Sequence, residues 1–162
     1  MINPTDLNII ITSIDNFFII INIIIGVLLA VYILKINRNY WLNRFLFLSF
    51  ITLSFGLFFL VLSFGIIIYQ DGGIINPIPQ ISLISLILVI ISTFFLMMAG
   101  QVLLKGEKKI FRFKIYGPTL IGVIIVIIIN IYYTIIFNIY PFSSEWKESV
   151  FGLLTLIIVH SI

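Results

Sequence analysis

Few residues in this sequence could do chemistry, and they lie far apart. The chain has one His, no Cys and six Asp and Glu residues among 162. His160 is the only imidazole, so it is either a proton-responsive or ligand-contacting group or a polar residue without such a role. Asp15 is the carboxylate nearest to an apolar run, and we place it in the headgroup zone. The sequence shows no His cluster, carboxylate pair or Gly-rich phosphate loop, so we expect no catalytic site, no metal and no cofactor.

Among the uncharged polar residues within the long apolar runs, we single out Asn22, Asn130 and Thr134. A buried amide has donors and an acceptor that need partners in the protein or in water. Hydrogen bonds between helices would satisfy these groups, and so would a small polar cavity. Together with His160 they are the candidate ligand-binding residues, and we expect the cavity to open to the exterior.

Four apolar runs carry these polar residues, at 17–34, 45–69, 81–104 and 120–140. Each run is close to the roughly 20 residues that a helix needs to cross a bilayer. With 62% hydrophobic and only 9% charged residues, the chain is too apolar for a soluble domain of its size. The sequence therefore predicts an all-α fold, a polytopic transmembrane helix bundle that forms a single domain over residues 1–162.

A fifth apolar segment, 146–162, is too short for a full crossing. Pro141 is expected to end the fourth helix and a new helix to follow it. From Val150 to Ile162 that helix would reach only about 20 Å into a core of about 30 Å. We expect a partial fifth span and interpret the chain as the front part of a longer protein. A naturally half-inserted C-terminal segment is the alternative.

Positive charge is confined to alternate joints between the runs. Lys and Arg in short loops stay on the cytoplasmic side, so the pattern predicts a protein of the cell membrane with its N-terminus outside and two basic loops inside. These cations lie near lipid headgroups, where anionic lipids attract each by about 1 kcal/mol. We interpret them as topology determinants that contact membrane lipids, and we expect no nucleic-acid binding. Eight of the nine Lys and Arg residues belong to this set: Lys35, Arg38, Arg44, Lys105, Lys108, Lys109, Arg112 and Lys114.

Small and polar residues recur at helical spacing in each run. Helices in lipid pack where such residues allow close approach, so these seams predict antiparallel packing of neighbouring helices. The seam residues, run by run, are Asn22, Gly26 and Ala30; Ser49, Thr52, Gly56 and Ser63; Ser82, Ser85, Ser92 and Ala99, with Val89 and Leu96 between them; and Gly122, Asn130, Thr134 and Asn138.

Two short motifs resemble a known family. Asn43-Arg44-Phe45 opens the second apolar run after a short basic loop, and Gly117-Pro118 opens the fourth run with Asn130 twelve residues later. This arrangement resembles the N-terminal seven-helix sensor region of membrane histidine kinases and related signalling proteins, of which the chain would cover about the first four and a half helices. The resemblance implies an input module that biases a cytoplasmic output domain in response to a ligand, a lipid or the state of the membrane.

Three functions fit the sequence. The first is a non-enzymatic, multi-pass sensory or signal-input domain. The second is a small accessory or structural subunit that packs against other membrane proteins. The third, a fragment of a secondary transporter, is disfavoured because such proteins usually contain broken helices near the middle of the membrane, and the runs 45–69 and 81–104 contain no Pro.

Overall fold

The computed structural model describes residues 4–70, 79–139 and 141, with side chains described at 13–63, 80–139 and 141. In chain order its helices are α1 Pro4–Ile36, α2 Trp41–Gln70, α3 Pro79–Lys105, α4 Glu107–Ile110 and α5 Phe113–Ile136. The described residues contain no β-strand. The predicted fifth span, 146–162, lies outside the described residues.

Four of these helices are long and apolar enough to cross a membrane. The candidate spans are Ser13–Ile36, Trp41–Ser63, Gln80–Lys105 and Phe113–Ile136. An α-helix forms all its backbone hydrogen bonds internally, so an apolar helix can be surrounded by lipid instead of water. The predicted all-α, polytopic fold is thereby confirmed, and the chain is a multi-pass membrane protein.

The fourth span differs from its predicted bounds of 120–140. α5 begins earlier, at Phe113, so Pro118 lies inside the helix and does not open it. Pro118 cannot donate to the carbonyl of Lys114, and membrane helices tolerate such a loss because neighbouring groups and local backbone adjustment satisfy the freed carbonyl. At the other end Asn138 has a φ of 53°, a left-handed conformation that ends helices. α5 therefore ends before Pro141, the residue that was expected to end it.

The helices pack in the order α1, α2, α3, α5, and the contact between α2 and α3 is the most extensive. The α2–α3 pair is antiparallel, because Ser49 lies opposite Ser92 while Gly56 lies opposite Ser85. α1 packs against α2, and α5 packs against α3. The antiparallel seams predicted from the sequence are confirmed for α2 and α3.

Serines connect α2 and α3 through polar bonds in an otherwise apolar interface. Ser49 Oγ donates to the carbonyl of Ser92 at 3.0 Å, and Ser92 Oγ donates to the carbonyl of Ser49 at 2.9 Å. Ser85 Oγ donates to the carbonyl of Gly56 at 2.7 Å. All three serines are buried, so water and lipid do not compete for these bonds. One predicted seam residue of α3, Leu96, is instead exposed, since it lies at the edge of the contact with α2, beside Leu42 and Leu46.

The contact between α1 and α2 is less extensive than that between α2 and α3, and it includes a close approach at Gly26. Gly26 lies so near Ser54 that an added Cβ atom would be 2.5 Å from Ser54 Oγ, and that hydroxyl donates to the carbonyl of Ile23 at 3.4 Å. Ala30 is fully buried one turn further along. The third seam residue, Asn22, is exposed, because the axis of contact runs through Gly26 and Ala30 and leaves Asn22 on the flank of α1.

Candidate functional site

Asn130 and Thr134 bond to their own helix. Asn130 is 2% exposed, and its Nδ2 donates to the carbonyl of Val126 at 2.9 Å. Thr134 Oγ1 donates in the same way to the carbonyl of Asn130 at 2.9 Å. Bonds from a side chain to the preceding helical turn are common where polar residues lie within a span. These interactions hold both side chains against α5.

Among the described candidate ligand residues, Asn130 and Thr134 lie together and Asn22 lies apart from them. Asn22 is exposed on α1, whereas Asn130 is buried on α5, which packs against α3. The two amides therefore do not share a cavity, since one faces the surroundings and the other is enclosed, and an outward-facing polar cavity stays a prediction. His160 lies outside the described residues.

Two buried oxygen atoms make no hydrogen bond within the described part of the chain. They are Ser63 Oγ on α2 and Gln101 Oε1 on α3. A buried acceptor without a partner costs free energy, so both atoms are places where a further polar group would stabilise the bundle. The seam residues predicted from the sequence include Ser63 but not Gln101. Gln101 could have been found from the sequence as an amide within the apolar run 81–104, one helical turn before its end.

The cations predicted to determine topology all lie at one end of the bundle. They lie at the end of α1, in the α1–α2 loop, at the start of α2, at the end of α3, and from α4 to the start of α5, which antiparallel packing places together. All of them are exposed apart from Arg44, which is partly buried. We call this end of the bundle the basic end.

A contact between the two basic loops organises this end. Glu107, at the start of α4, accepts a hydrogen bond of 2.6 Å from the backbone N–H of Trp41, the first residue of α2. The first N–H groups of a helix have no partner inside the helix and carry a partial positive charge. A carboxylate 66 residues away in sequence thereby stabilises the start of α2.

The indole of Trp41 is enclosed by three other side chains. Its ring lies 4.6 Å from that of Phe111 in an edge-to-face arrangement and 5.6 Å from that of Phe45. The Arg44 guanidinium carbon lies 4.6 Å from the indole centre, within the range of a cation–π interaction. We call Trp41, Arg44, Glu107 and Phe111 the loop junction, because they join the α1–α2 loop to the segment between α3 and α5.

Sequence reasoning missed the loop junction. The available signal was Glu107, the single acidic residue among the five cations of its loop. Such a residue can partner a nearby cation or cap a helix, and the sequence alone does not show which helix start lies within reach. Within the described ranges no group of three His, Asp or Glu residues is placed to hold a metal ion.

Comparison with known proteins adds no assignment: no protein-family model matches the chain, and neither a curated protein nor a solved structure gives a significant match. The resemblance to sensor regions of histidine kinases stays a prediction. Function is therefore argued from the arrangement of the helices and the loop junction.

Proposed function

We propose that this chain is a non-catalytic signal-input domain of the cell membrane, with its N-terminus outside and its basic end in the cytoplasm. In this proposal a change in the membrane or a bound ligand moves the outer helices relative to the α2–α3 pair. The basic end passes that movement to a cytoplasmic output domain or to another membrane subunit. The orientation rests on the distribution of Lys and Arg.

The loop junction is the observation that carries the proposal. α2 and α3 are tied by buried serine bonds, whereas α1 contacts this pair through α2 and α5 contacts it through α3. The bond between Glu107 and Trp41 connects the segments that lead into and out of the pair. A displacement of either outer helix would strain this bond and the aromatic contacts beside it.

The chemistry of the spans supports a role in coupling and not in catalysis. Asp, Glu, Lys, Arg and His are absent from residues 16–34, 45–63, 80–104 and 115–136. Intramembrane enzymes and ion-coupled transporters usually keep such residues within their spans. The hydroxyl bond between α1 and α2, from Ser54 Oγ to the carbonyl of Ile23, is long at 3.4 Å and contributes little, so α1 can shift relative to the α2–α3 pair at modest cost.

Spin labels on α1 and α5 test the signal-input proposal. The chain has no Cys, so Ile36→Cys and Phe113→Cys give unique labels at exposed positions at the basic end. We expect electron–electron double resonance to show two distance populations, and their ratio to change among vesicles of different acyl-chain length, anionic lipid content and pH. Glu107→Gln should shift the ratio because it weakens the loop junction, whereas Lys108→Gln on the same helix should not. A single distance in all vesicles, unaltered by Glu107→Gln, would contradict the proposal.

The accessory-subunit alternative is favoured by one observation, the exposure of Asn22. Asn22 lies nine residues after the start of the span Ser13–Ile36, about 14 Å along the helix and thus near the middle of a core of about 30 Å. An amide at this depth is stabilised by a hydrogen bond to another membrane helix.

Association through Asn22 is expected to depend on its amide. A photoreactive residue in place of exposed Ile25 should form a discrete crosslinked product in the native membrane if α1 docks on a partner. Asn22→Leu should remove most of that product, and Ile24→Leu, a control without polar change, should leave it intact. A product that Asn22→Leu does not alter would refute docking through this amide.

A further inference from the structure

Two cavities lie on one flank of the α1–α2 contact, and the outer of them ends among cations. This outer cavity, nearest the basic end, has a volume of about 360 Å³ and is lined by Val31, Leu34, Lys35, Arg38 and Phe47. A second cavity of about 200 Å³ lies deeper between the same helices, lined by Ile23, Val27, Ser54, Phe55 and Phe58. Ile23, Val27, Val31 and Leu34 follow one another at steps of four, four and three, so the two cavities share one side of α1. We call them together the α1–α2 groove.

The groove is apolar along its length and basic at its mouth. Lys35 and Arg38 are exposed, and neither forms an ion pair within the described residues. Lys35 is in the last turn of α1, and Arg38 follows in the loop, so both charged groups lie at the depth of lipid headgroups. Phosphate and carboxylate groups are the ligands that such a pair attracts most strongly.

The length of the groove matches one lipid leaflet. Ile23 and Leu34 are 11 residues apart on a continuous helix, which corresponds to about 16 Å. Half of a bilayer core of about 30 Å is close to this value. An acyl chain whose headgroup lies at Lys35 and Arg38 would therefore end near Ile23, at the middle of the membrane.

We propose that the α1–α2 groove binds one anionic phospholipid from the leaflet at the basic end. The phosphate lies between Lys35 and Arg38, and an acyl chain follows Val31 and Val27 towards Ile23. This inference does not depend on a signal-input function, because a structural lipid would occupy the groove equally well.

A second groove on the other side of α2 provides an internal comparison. It also has a volume of about 360 Å³ and lies between α2 and α3, but its lining contains no charged residue: Leu42, Leu46, Leu96, Met97, Ala99, Gly100 and Leu103. We expect it to accept acyl chains without preference for the headgroup. Comparing lipid binding by the two grooves therefore measures how much Lys35 and Arg38 contribute to headgroup preference.

Native mass spectrometry of the purified chain, released from detergent with equal amounts of phosphatidylglycerol and phosphatidylcholine, tests the inference. The wild-type chain should retain one phosphatidylglycerol beyond the lipid of either headgroup that the uncharged groove holds. Lys35→Gln with Arg38→Gln should weaken its retention about thirtyfold, the effect of two cations near the surface. Lys109→Gln with Lys114→Gln removes the same charge from the other basic loop and should retain the lipid. Helical content and elution volume of each variant check that the fold is intact.

Filling the groove separates lipid binding from attraction of a free anion. Val31→Phe places a ring in the α1–α2 groove and should lower phosphatidylglycerol retention at unchanged charge, whereas Gly100→Phe fills the uncharged groove and should not. Equal losses in the two double-charge variants would overturn the inference, because general surface charge would then explain binding. Retention that Val31→Phe does not alter would overturn it as well, because the acyl chain would then lie elsewhere.

Discussion

Replacing Gly56 by leucine is expected to force α2 away from α3 and to lower the free energy of unfolding by about 3 kcal/mol, the upper range for overpacking a tight interface. A Cβ atom at Gly56 would lie 3.2 Å from Val89 Cγ2, 3.3 Å from Leu88 Cβ and 3.3 Å from the backbone oxygen of Ser85. Two of these neighbours belong to the backbone or the first side-chain carbon of α3, so they can give way only if the helix moves.

The same substitution also breaks a polar bond. Ser85 Oγ donates to the carbonyl of Gly56 at 2.7 Å, and separated helices would leave that buried hydroxyl without its acceptor. Gly100→Leu is the matched control, because an added Cβ atom there has no neighbour within 4 Å. Thermal unfolding in detergent micelles, followed by circular dichroism, should show a much lower unfolding midpoint for Gly56→Leu and little change in the midpoint for Gly100→Leu. Equal stability of the two variants would mean that α2 and α3 do not approach at Gly56.

The close approach at Gly56 shows which part of the fold could be predicted from sequence. The length of an apolar run predicts a span because a helix must be long enough to cross the hydrocarbon core. Small residues predict helix contacts because the hydrophobic effect does not drive helices together in lipid and close packing does. The α2 and α3 seams followed from these two rules. The rules do not determine whether a residue lies at the centre or at the edge of a helix contact. Asn22 and Leu96 are therefore predicted to lie in contacts, although both are exposed.

Helix ends were harder to predict than spans. A proline was expected to open the fourth span and another to end it, but Pro118 lies inside α5 and the helix ends at Ile136. A proline inside a membrane helix removes one backbone hydrogen bond without ending the helix, whereas the left-handed Asn138 ends it before Pro141. Local backbone conformation, which the apolar pattern does not encode, determined this boundary.

The candidate site was predicted in part. The grouping of cations at one end followed from the alternation of charge, but the loop junction did not, because it depends on a contact between Trp41 and Glu107 across 66 residues. Isolated amides in the spans are candidate ligand contacts by sequence, and the structure shows that Asn130 bonds to its own helix. Polarity within a span identifies groups that need partners without identifying the partner.

α4 makes a buried contact that the pattern of charges in its sequence does not predict. The segment from Lys108 to Lys114 alternates cations with apolar residues, a pattern that fits a strip lying on the membrane surface. Phe111 and Phe113 are indeed exposed, but Ile110 is fully buried. It packs in a cluster with Phe45, Met98, Ala99 and Val102, so this residue attaches the basic loop to the α2–α3 pair.

Ile110→Ala is therefore expected to lower the free energy of unfolding by about 3 kcal/mol, the middle of the range for truncating a large buried aliphatic residue. Leu104→Ala is the matched control: it also shortens an aliphatic side chain near the basic end, but Leu104 is 81% exposed, and the change should be within about 0.5 kcal/mol. Both values are to be measured by unfolding in detergent micelles. Because Ile110 supports the segment that carries Glu107, its truncation should also increase hydrogen exchange at the first N–H groups of α2. If Ile110→Ala and Leu104→Ala were equally stable and left that exchange unchanged, α4 would be a surface strip and the loop junction would lose its support.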